Sequence, residues 1–238
     1  MILLFAEKAV YSHYRNWNNE SKVLGKDQFM EIAYWEEIKR KLVHLSSLWM
    51  VAATLLLAPW PWAAAIIFFL LLLLTLVSEH DFANGGRYLG RLYGKLFGKM
   101  LRNEVKPGQW IVSGGAPVLA AALLVNLLFP PWLAAASLAV MLTGDAAAAL
   151  VGRKFGRHKL VNEKSLEGSV SFLVVGYVAT AVILLITQRP VCDYWIGIAA
   201  VLSACLTELF QKQLKIDDNF SIPLAVGAVF MLAHFCGI

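Results

Sequence analysis

Residues 132–154 read WLAAASLAVMLTGDAAAALVGRK, and this stretch decides the fold. The apolar run from Trp132 to Val151 holds one ionisable residue, Asp145, and is followed at once by Arg153 and Lys154. A helix rises about 1.5 Å per residue, so roughly 20 such residues cross a hydrocarbon core about 30 Å thick. An apolar run of this length that stops on a basic cluster reads as a membrane-spanning helix ending at the cytoplasmic face.

Working outward, six further stretches read the same way: 42–58, 62–78, 110–129, 169–188, 192–211 and 222–238. Prolines separate neighbours tightly at Ala58-Pro59-Trp60-Pro61-Trp62 and at Phe129-Pro130-Pro131-Trp132, because proline lacks the backbone donor and clashes with the preceding turn. Trp60 and Trp62 suit a membrane–water interface. The composition agrees: the 238 residues are 59% hydrophobic and only 16% charged, with a mean hydropathy of +0.63. Soluble domains run at about 45–50% apolar and about 25% charged. A soluble enzyme, a disordered tail and a nucleic-acid module are thereby excluded as the main reading, and no nucleic-acid partner is expected. The expected fold is all-α, a polytopic bundle of about seven transmembrane helices with a cytoplasmic interfacial amphipathic helix.

Charge sets the orientation. With the N-terminus in the cytoplasm, 20 of the 21 Lys and Arg residues fall in residues 1–46, 79–109, 152–168 and 211–221, leaving only Arg189 on the other side. The positive-inside rule then places the C-terminus opposite the N-terminus, which requires an odd number of spans. The expected organisation is a cytoplasmic or interfacial segment 1–41 and a membrane-embedded domain 42–238, with cytoplasmic loops 79–109, 152–168 and 211–221. No cleavable signal peptide is expected, since Ile2–Phe5 is too short an apolar region and Glu7 and Lys8 follow. Residues 86–101 repeat Gly-basic-x-x with period four, carrying Gly86, Gly90, Gly94 and Gly98 and the stripe Arg87, Arg91, Lys95, Lys99. They read either as an interfacial helix on anionic lipid or as a close-packing helix beside a lipid entry.

Standard nucleotide and zinc signatures are missing: Gly152–Lys159 has the wrong spacing for a Walker loop, and there is no GxGxxG, HExxH or CxxC pair. Three cysteines are too few for a disulfide framework; Cys192 and Cys236 fall on the outer side and Cys205 reads as core. The ionisable residues at the span ends carry more information, since charge is costly in lipid and usually has a reason. Asp145 and Glu208 lie near the cytoplasmic C-termini of the fourth and sixth spans, where a helix dipole disfavours a carboxylate unless a cation compensates it. The fifth and seventh spans begin at the cytoplasm, with Lys164, Ser165 and Ser169 at one N-terminus and Ser221 at the other. Helix N-termini with a lysine and hydroxyls receive phosphate. Carboxylates for a divalent cation and donors for phosphate thus face one compartment, a pairing that suits phosphoryl transfer from a nucleotide. Each residue also has a plainer reading: Asp145 as a structural polar group, Arg153, Lys154, Arg157 and Lys159 as orientation charges, Glu208 as a helix-end residue, Asp217-Asp218-Asn219 as a solvated turn. His44, beside a basic cluster, is the histidine placed to touch phosphate.

The ordered set of motifs resembles a known family. Glu37-Ile-Lys-Arg40-Lys41-Leu-Val-His44, then Arg102-Asn-Glu104 with Gly108, then Gly144-Asp145 through Gly152, Phe155-Gly156 and Lys159 resemble the CTP-dependent lipid-alcohol kinases, which include dolichol, phytol and yeast-type diacylglycerol kinases. Lys164-Ser165-Leu-Glu167-Gly168-Ser169, Glu208 and Asp217-Asp218-Asn219 with Ile222-Pro223 complete the resemblance, which runs from about residue 37 to 223. It implies transfer of the γ-phosphoryl of CTP to the hydroxyl of a polyprenol, a phytol-type alcohol or diacylglycerol, with Mg2+ or another divalent cation. It further implies Asp145, Asp218 and Lys164 as catalytic residues. The nucleotide site would use Arg40, Lys41, His44, Gly152, Gly156, Lys159, Lys164, Ser165, Glu167 and Gly168. The metal site would use Asp145, Glu208, Asp217 and Asp218, and the lipid-alcohol site Glu79, Arg102 and Glu104. The central motif also resembles the phosphatidate cytidylyltransferases, whose histidine–glycine–glycine and Asp-Arg signature is absent. A transporter or non-catalytic membrane protein is the remaining alternative, but transporters place binding groups near the midplane. Here the ionisable groups cluster toward one face. The oligomeric state is not encoded in any of these features.

Overall fold

The computed structural model describes residues 26–84 and 115–237. The tandem repeat at 86–101, Arg102, Glu104, Gly108 and the first residues of the 110–129 span lie outside the described residues. The chain divides into two compact units, Met1–Arg40 and Lys41–Ile238. In the first, residues 26–40 belong to helix α1 (Lys26–Ser46). There Arg40 Nη2 donates to Glu37 Oε1 at 2.5 Å, one turn back along the helix.

The second unit takes the end of α1 and then α2 (Trp49–Leu56), α3 (Pro61–Ala83), α4 (Gly115–Leu128), α5 (Pro131–Phe155), α6 (Leu166–Ile186), α7 (Val191–Leu209), α8 (Gln211–Leu214) and α9 (Asp218–Phe235). Among the described residues there is no strand, only an isolated bridge between Lys159 and Ser165. Five helices, α3, α5, α6, α7 and α9, are long and apolar enough to cross a membrane. The stretch 42–58 is not one continuous helix. Ser46 Oγ turns back to the Val43 carbonyl at 2.6 Å, and the backbone tightens into Ser47→His44 and Leu48→Leu45 bonds before α2 begins. Such side-chain competition and i→i−3 bonding mark a helix end.

Helix α5 is the pillar, with α6, α9, α2 and α4 packed on it. Its run Leu133–Leu142 is buried throughout. The small side chains there let neighbouring backbones approach closely, as membrane helices do in place of hydrophobic collapse. Many large apolar residues nevertheless face outward: Val170, Val174, Val178 and Val182 of α6 and Phe69, Leu70, Leu73 and Leu74 of α3 are exposed. A continuous shell of exposed apolar side chains around the bundle belongs in lipid.

Several boundaries differ from the sequence reading: α3 runs on to Ala83 rather than 78, so Glu79 lies in the helix and not in the 79–109 loop, and capping explains two of the others. Helix α6 begins at Leu166 rather than 169, because Ser165 caps it by accepting from Gly168 N. Helix α9 begins at Asp218 rather than 222: Asp217 Oδ1 accepts from Asn219 N at 2.9 Å, and Pro223 sits inside the helix rather than at its opening. Helix α5 continues through Arg153 and Lys154, whose charges suit its C-terminal dipole.

At the end of the bundle where α6 finishes and α7 starts, Asp193 is fully buried. Its carboxylate accepts from Arg189 Nε at 2.6 Å and pairs with His234 Nε2 at 2.7 Å. The Arg189 guanidinium also lies over the Trp132 ring, 4.2 Å from its centroid. This clasp joins four helix ends.

Candidate functional site

At the opposite end, where α5 and α7 finish and α6 and α9 begin, the charged residues meet. Asp145 lies on the buried side of α5, where Ala146 and Ala148 are small neighbours. Its Oδ2 receives the ammonium of Lys41, a buried lysine from the last turns of α1, with His44 Nε2 3.5 Å away. The cation that the helix-end argument demanded is therefore present. A short turn later, Lys164 Nζ is ion-paired with Glu208 Oε1 of α7, so the second helix-end carboxylate is compensated as well.

Asp218, the first residue of α9, is half-buried and has no hydrogen bond or ion pair among the described residues. It interacts electrostatically with Asp145, Asp217, Lys41 and Lys164, and Asp145 likewise with Lys41, His44 and Lys164. Asp145, Asp218, Lys41, Lys164 and His44 thus form one electrostatic cluster fed by α1, α5, the 156–165 loop and α9. Around it, the hydroxyls of Ser169 and Ser221 and the second oxygen of Glu208, Oε2, are buried with no hydrogen-bond partner. Ser169 and Ser221 stand in the first turns of α6 and α9, where their own backbone N–H groups bond back to the Ser165 and Asp217 carbonyls and only the hydroxyls are left over. Buried polar groups are ordinarily satisfied, so orphans at two helix N-termini point to a polar guest.

The loop that carries Lys164 is built from unusual backbone. Asn162 and Glu163 have φ of 58° and 64°, in the left-handed region. Asn162 Nδ2 bonds the Leu209 carbonyl at 2.9 Å and Gln213 Oε1 at 2.6 Å, and so moors the loop to the end of α7. Asparagine tolerates that conformation better than most residues. Sequence reasoning passed over Asn162; its signal was an asparagine between a basic cluster and a helix cap.

The remaining candidates take distinct places. Gly152 and Gly168 mark the closest approach of α5 and α6: a Cβ on Gly168 would lie 2.8 Å from the Ala148 carbonyl oxygen and 3.2 Å from Gly152 Cα. A Cβ on Gly156 would lie 2.1 Å from the Gly152 carbonyl oxygen. These glycines therefore have a packing role whatever else they do. Ser165 is spent as the α6 cap. Lys159 is exposed, on the loop bridged to Ser165. Glu167 pairs with His158, Nδ1 to Oε1, at 2.8 Å. Asp217 caps α9 and also accepts from Asn219 Nδ2 at 2.7 Å. Glu79 is buried in α3. Arg40 belongs to the first unit, paired with Glu37.

As a metal centre, the described residues offer no group of three His, Cys, Asp or Glu side chains converging on one point. They do offer the pair Asp145 and Asp218, oxygen ligands of the hard type. Mg2+ characteristically binds through one or two carboxylates and completes its shell with water and phosphate oxygens. The donor set therefore fits a magnesium–nucleotide complex better than a resident all-protein metal cage.

Comparison with known proteins adds kinship to this geometry. Over 193 residues the chain is 30% identical to an uncharacterized protein of Rickettsia prowazekii, a match spanning 79% of this chain and 90% of that protein. The two belong to one family. A shorter stretch resembles plant enzymes: 36% identity over 102 residues with probable phytol kinase 1, chloroplastic, of Glycine max. The corresponding protein of Oryza sativa subsp. japonica is 38% identical over 98 residues. These matches cover 39% and 37% of this chain, and only 34% and 31% of the plant proteins. The chain thus aligns with about a third of each phytol kinase. No family model matches the chain, and no solved structure matches it.

Proposed function

We propose that this protein is an integral-membrane lipid-alcohol kinase that moves the γ-phosphoryl of CTP to the hydroxyl of a polyprenol, a phytol-type alcohol or diacylglycerol. The observation that carries the proposal is the convergence of Asp145, Lys41, Lys164 and Asp218 at one end of the bundle, beside two helix N-termini with orphan hydroxyls. The local similarity to probable phytol kinases supports the same reaction class.

In this reading the membrane is crossed seven times. The 42–58 stretch and the 110–129 stretch supply the two passes beyond the five long helices. The N-terminus and the site face the cytoplasm and the C-terminus lies opposite, a reading supported by the distribution of Lys and Arg.

The residues divide the work. The triphosphate approaches the N-termini of α6 and α9, where the positive dipole ends, the hydroxyls of Ser169 and Ser221 and the ammonium of Lys164 receive its oxygens. Lys41, His44 and Lys159 add positive charge around the nucleotide, and the site needs it. Its four carboxylates, Asp145, Glu208, Asp217 and Asp218, outnumber the two paired lysines, Lys41 and Lys164. Mg2+ held by Asp145 and Asp218 would supply the neutralisation of phosphate charge that dominates phosphoryl-transfer catalysis. Lys41 fixes the Asp145 carboxylate in one orientation. Asp218, which makes no ion pair among the described residues, can hold the cation with one oxygen and accept the hydroxyl proton of the alcohol with the other.

Purified protein reconstituted in nanodiscs with a panel of lipid alcohols, given each of the four nucleoside triphosphates, tests the proposal. Phosphoryl transfer preferring CTP is expected. Transfer of the cytidylyl group to phosphatidic acid would instead identify a cytidylyltransferase. No nucleotide-dependent product with any lipid would point to a transporter or a non-catalytic protein.

A further inference from the structure

Between the C-terminal turn of α5 and the outer face of α6 runs a shallow, open apolar groove of about 620 Å³. Its walls are Val151 of α5 and Leu166, Val170, Val174 and Val175 of α6. The one hydroxyl on that wall, Ser171, is spent on the Gly168 carbonyl at 2.7 Å. Val170 and Val174 are 49% and 59% exposed, so the groove opens sideways, toward lipid. Polarity appears only at one end. There Glu167 accepts from His158 at 2.8 Å, in the same helical turn that Lys164 and Ser165 open.

The dimensions fit one kind of guest. From Leu166 to Val175 the helix rises roughly 14 Å at 1.5 Å per residue. That is about half of a hydrocarbon core of about 30 Å, or one leaflet. A groove that is apolar for one leaflet and ends on a hydrogen-bonding carboxylate complements a single hydrocarbon chain with one hydroxyl at the interface. The carboxylate end, at Glu167, lies in the first turn of α6, the N-terminus that receives phosphate in the reading above.

We infer that this groove is the berth of the acceptor: a single-chain long-chain alcohol lies along Leu166–Val175 with its hydroxyl donating to Glu167 and steadied by His158. The inference rests on the kinase reading for what happens to that hydroxyl, but not for the binding itself. Glu167 is then a residue that positions the acceptor rather than a nucleotide ligand. The residues expected for the lipid site, Glu79, Arg102 and Glu104, are not needed to hold the chain.

Photolabelling separates the two claims. The full chain is reconstituted in phosphatidylcholine vesicles with a C16 alcohol carrying a diazirine in mid-chain, irradiated, and mapped by peptide mass spectrometry. Labelling is expected to concentrate in residues 166–175 and to fall at least tenfold with excess unlabelled hexadecanol. The hexadecyl methyl ether, which cannot donate a hydrogen bond, should compete at least tenfold less well. Val174→Trp should abolish the concentrated labelling, whereas Leu185→Trp, on the same helix beyond the groove, should leave it in place; equal thermal unfolding midpoints establish that both variants fold. Labelling spread evenly over lipid-facing helices would mean bulk lipid only and would overturn the berth, as would equal competition by the ether. Should wild-type protein phosphorylate no alcohol yet show the competed label, the kinase reading fails and the berth stands. Should it phosphorylate long-chain alcohols with Val174→Trp leaving the long-to-short chain ratio of kcat/KM unchanged, the berth fails and the kinase reading stands.

Discussion

The Lys41 ammonium and the Asp145 carboxylate meet in the protein interior although 104 positions of sequence separate them. Both side chains are nearly shielded from solvent, at 7% and 11% exposure. Removing one partner of such a pair strands a buried charge and costs about 3–5 kcal/mol, whereas replacing both is often neutral. Asp145→Asn should therefore lose both activity and stability. The double variant Lys41→Met, Asp145→Leu should regain most of the stability while activity stays at least a thousandfold down. Thermal unfolding in detergent beside a lipid-kinase assay reads both. Recovery of activity in the double variant would remove Asp145 from the chemistry.

Lys164 bridges the loop and α7 through Glu208, and its side chain is 33% exposed, so part of its charge reaches the site mouth. Lys164→Ala should raise the KM for nucleotide or lower kcat/KM for it by at least tenfold, with the KM for alcohol changed far less. An unaltered nucleotide concentration dependence would assign Lys164 to structure alone.

Gly168 lets α6 lie directly on α5. Gly168→Ala places a methyl group 2.8 Å from the Ala148 carbonyl oxygen, a backbone atom that cannot step aside alone. Overpacking of this kind costs about 1–3 kcal/mol. The expected outcome is a lower unfolding midpoint together with reduced activity, because the helix that presents Ser165, Glu167 and Ser169 is displaced. A variant as stable and as active as wild type would show that the two helices have slack.

Much of this was legible in the sequence, and the parts that were not share a cause. The long apolar runs announced helices, and carboxylates at helix C-termini demanded cations. The demand was met by Lys41 and Lys164, both already candidates, but the pairing of Lys41 with Asp145 and Lys164 with Glu208 depends on tertiary packing that no local pattern encodes. The break at Ser47-Leu48 was hidden because the residues around it are apolar enough to continue a span; backbone tightening ended the helix, not composition. The apolar pattern opens α9 at Ile222, after Ser221, yet Asp217 caps the helix earlier and Pro223 is accommodated inside it. Asn162 was missed because its role depends on a carbonyl 47 residues away.

The Asp193 clasp lies at the far end of the bundle and offers a control. Asp193→Asn should destabilise the protein by roughly 3 kcal/mol or more, since Arg189 and His234 lose their buried anion. The surviving folded protein should keep its KM for both substrates. Steady-state kinetics on folded protein recovered by size exclusion makes the comparison. A large change in either KM would mean that the two ends of the bundle are coupled.

The decisive measurement uses two labels. Purified protein in nanodiscs containing a long-chain alcohol receives CTP carrying 32P at the γ position in one reaction and at the α position in another, and the lipid fraction is counted. Radioactivity from the γ position alone, with loss of that signal in Asp145→Asn, is the result expected of a lipid-alcohol kinase built on these residues. Radioactivity from the α position in the lipid, or none from either, would contradict it.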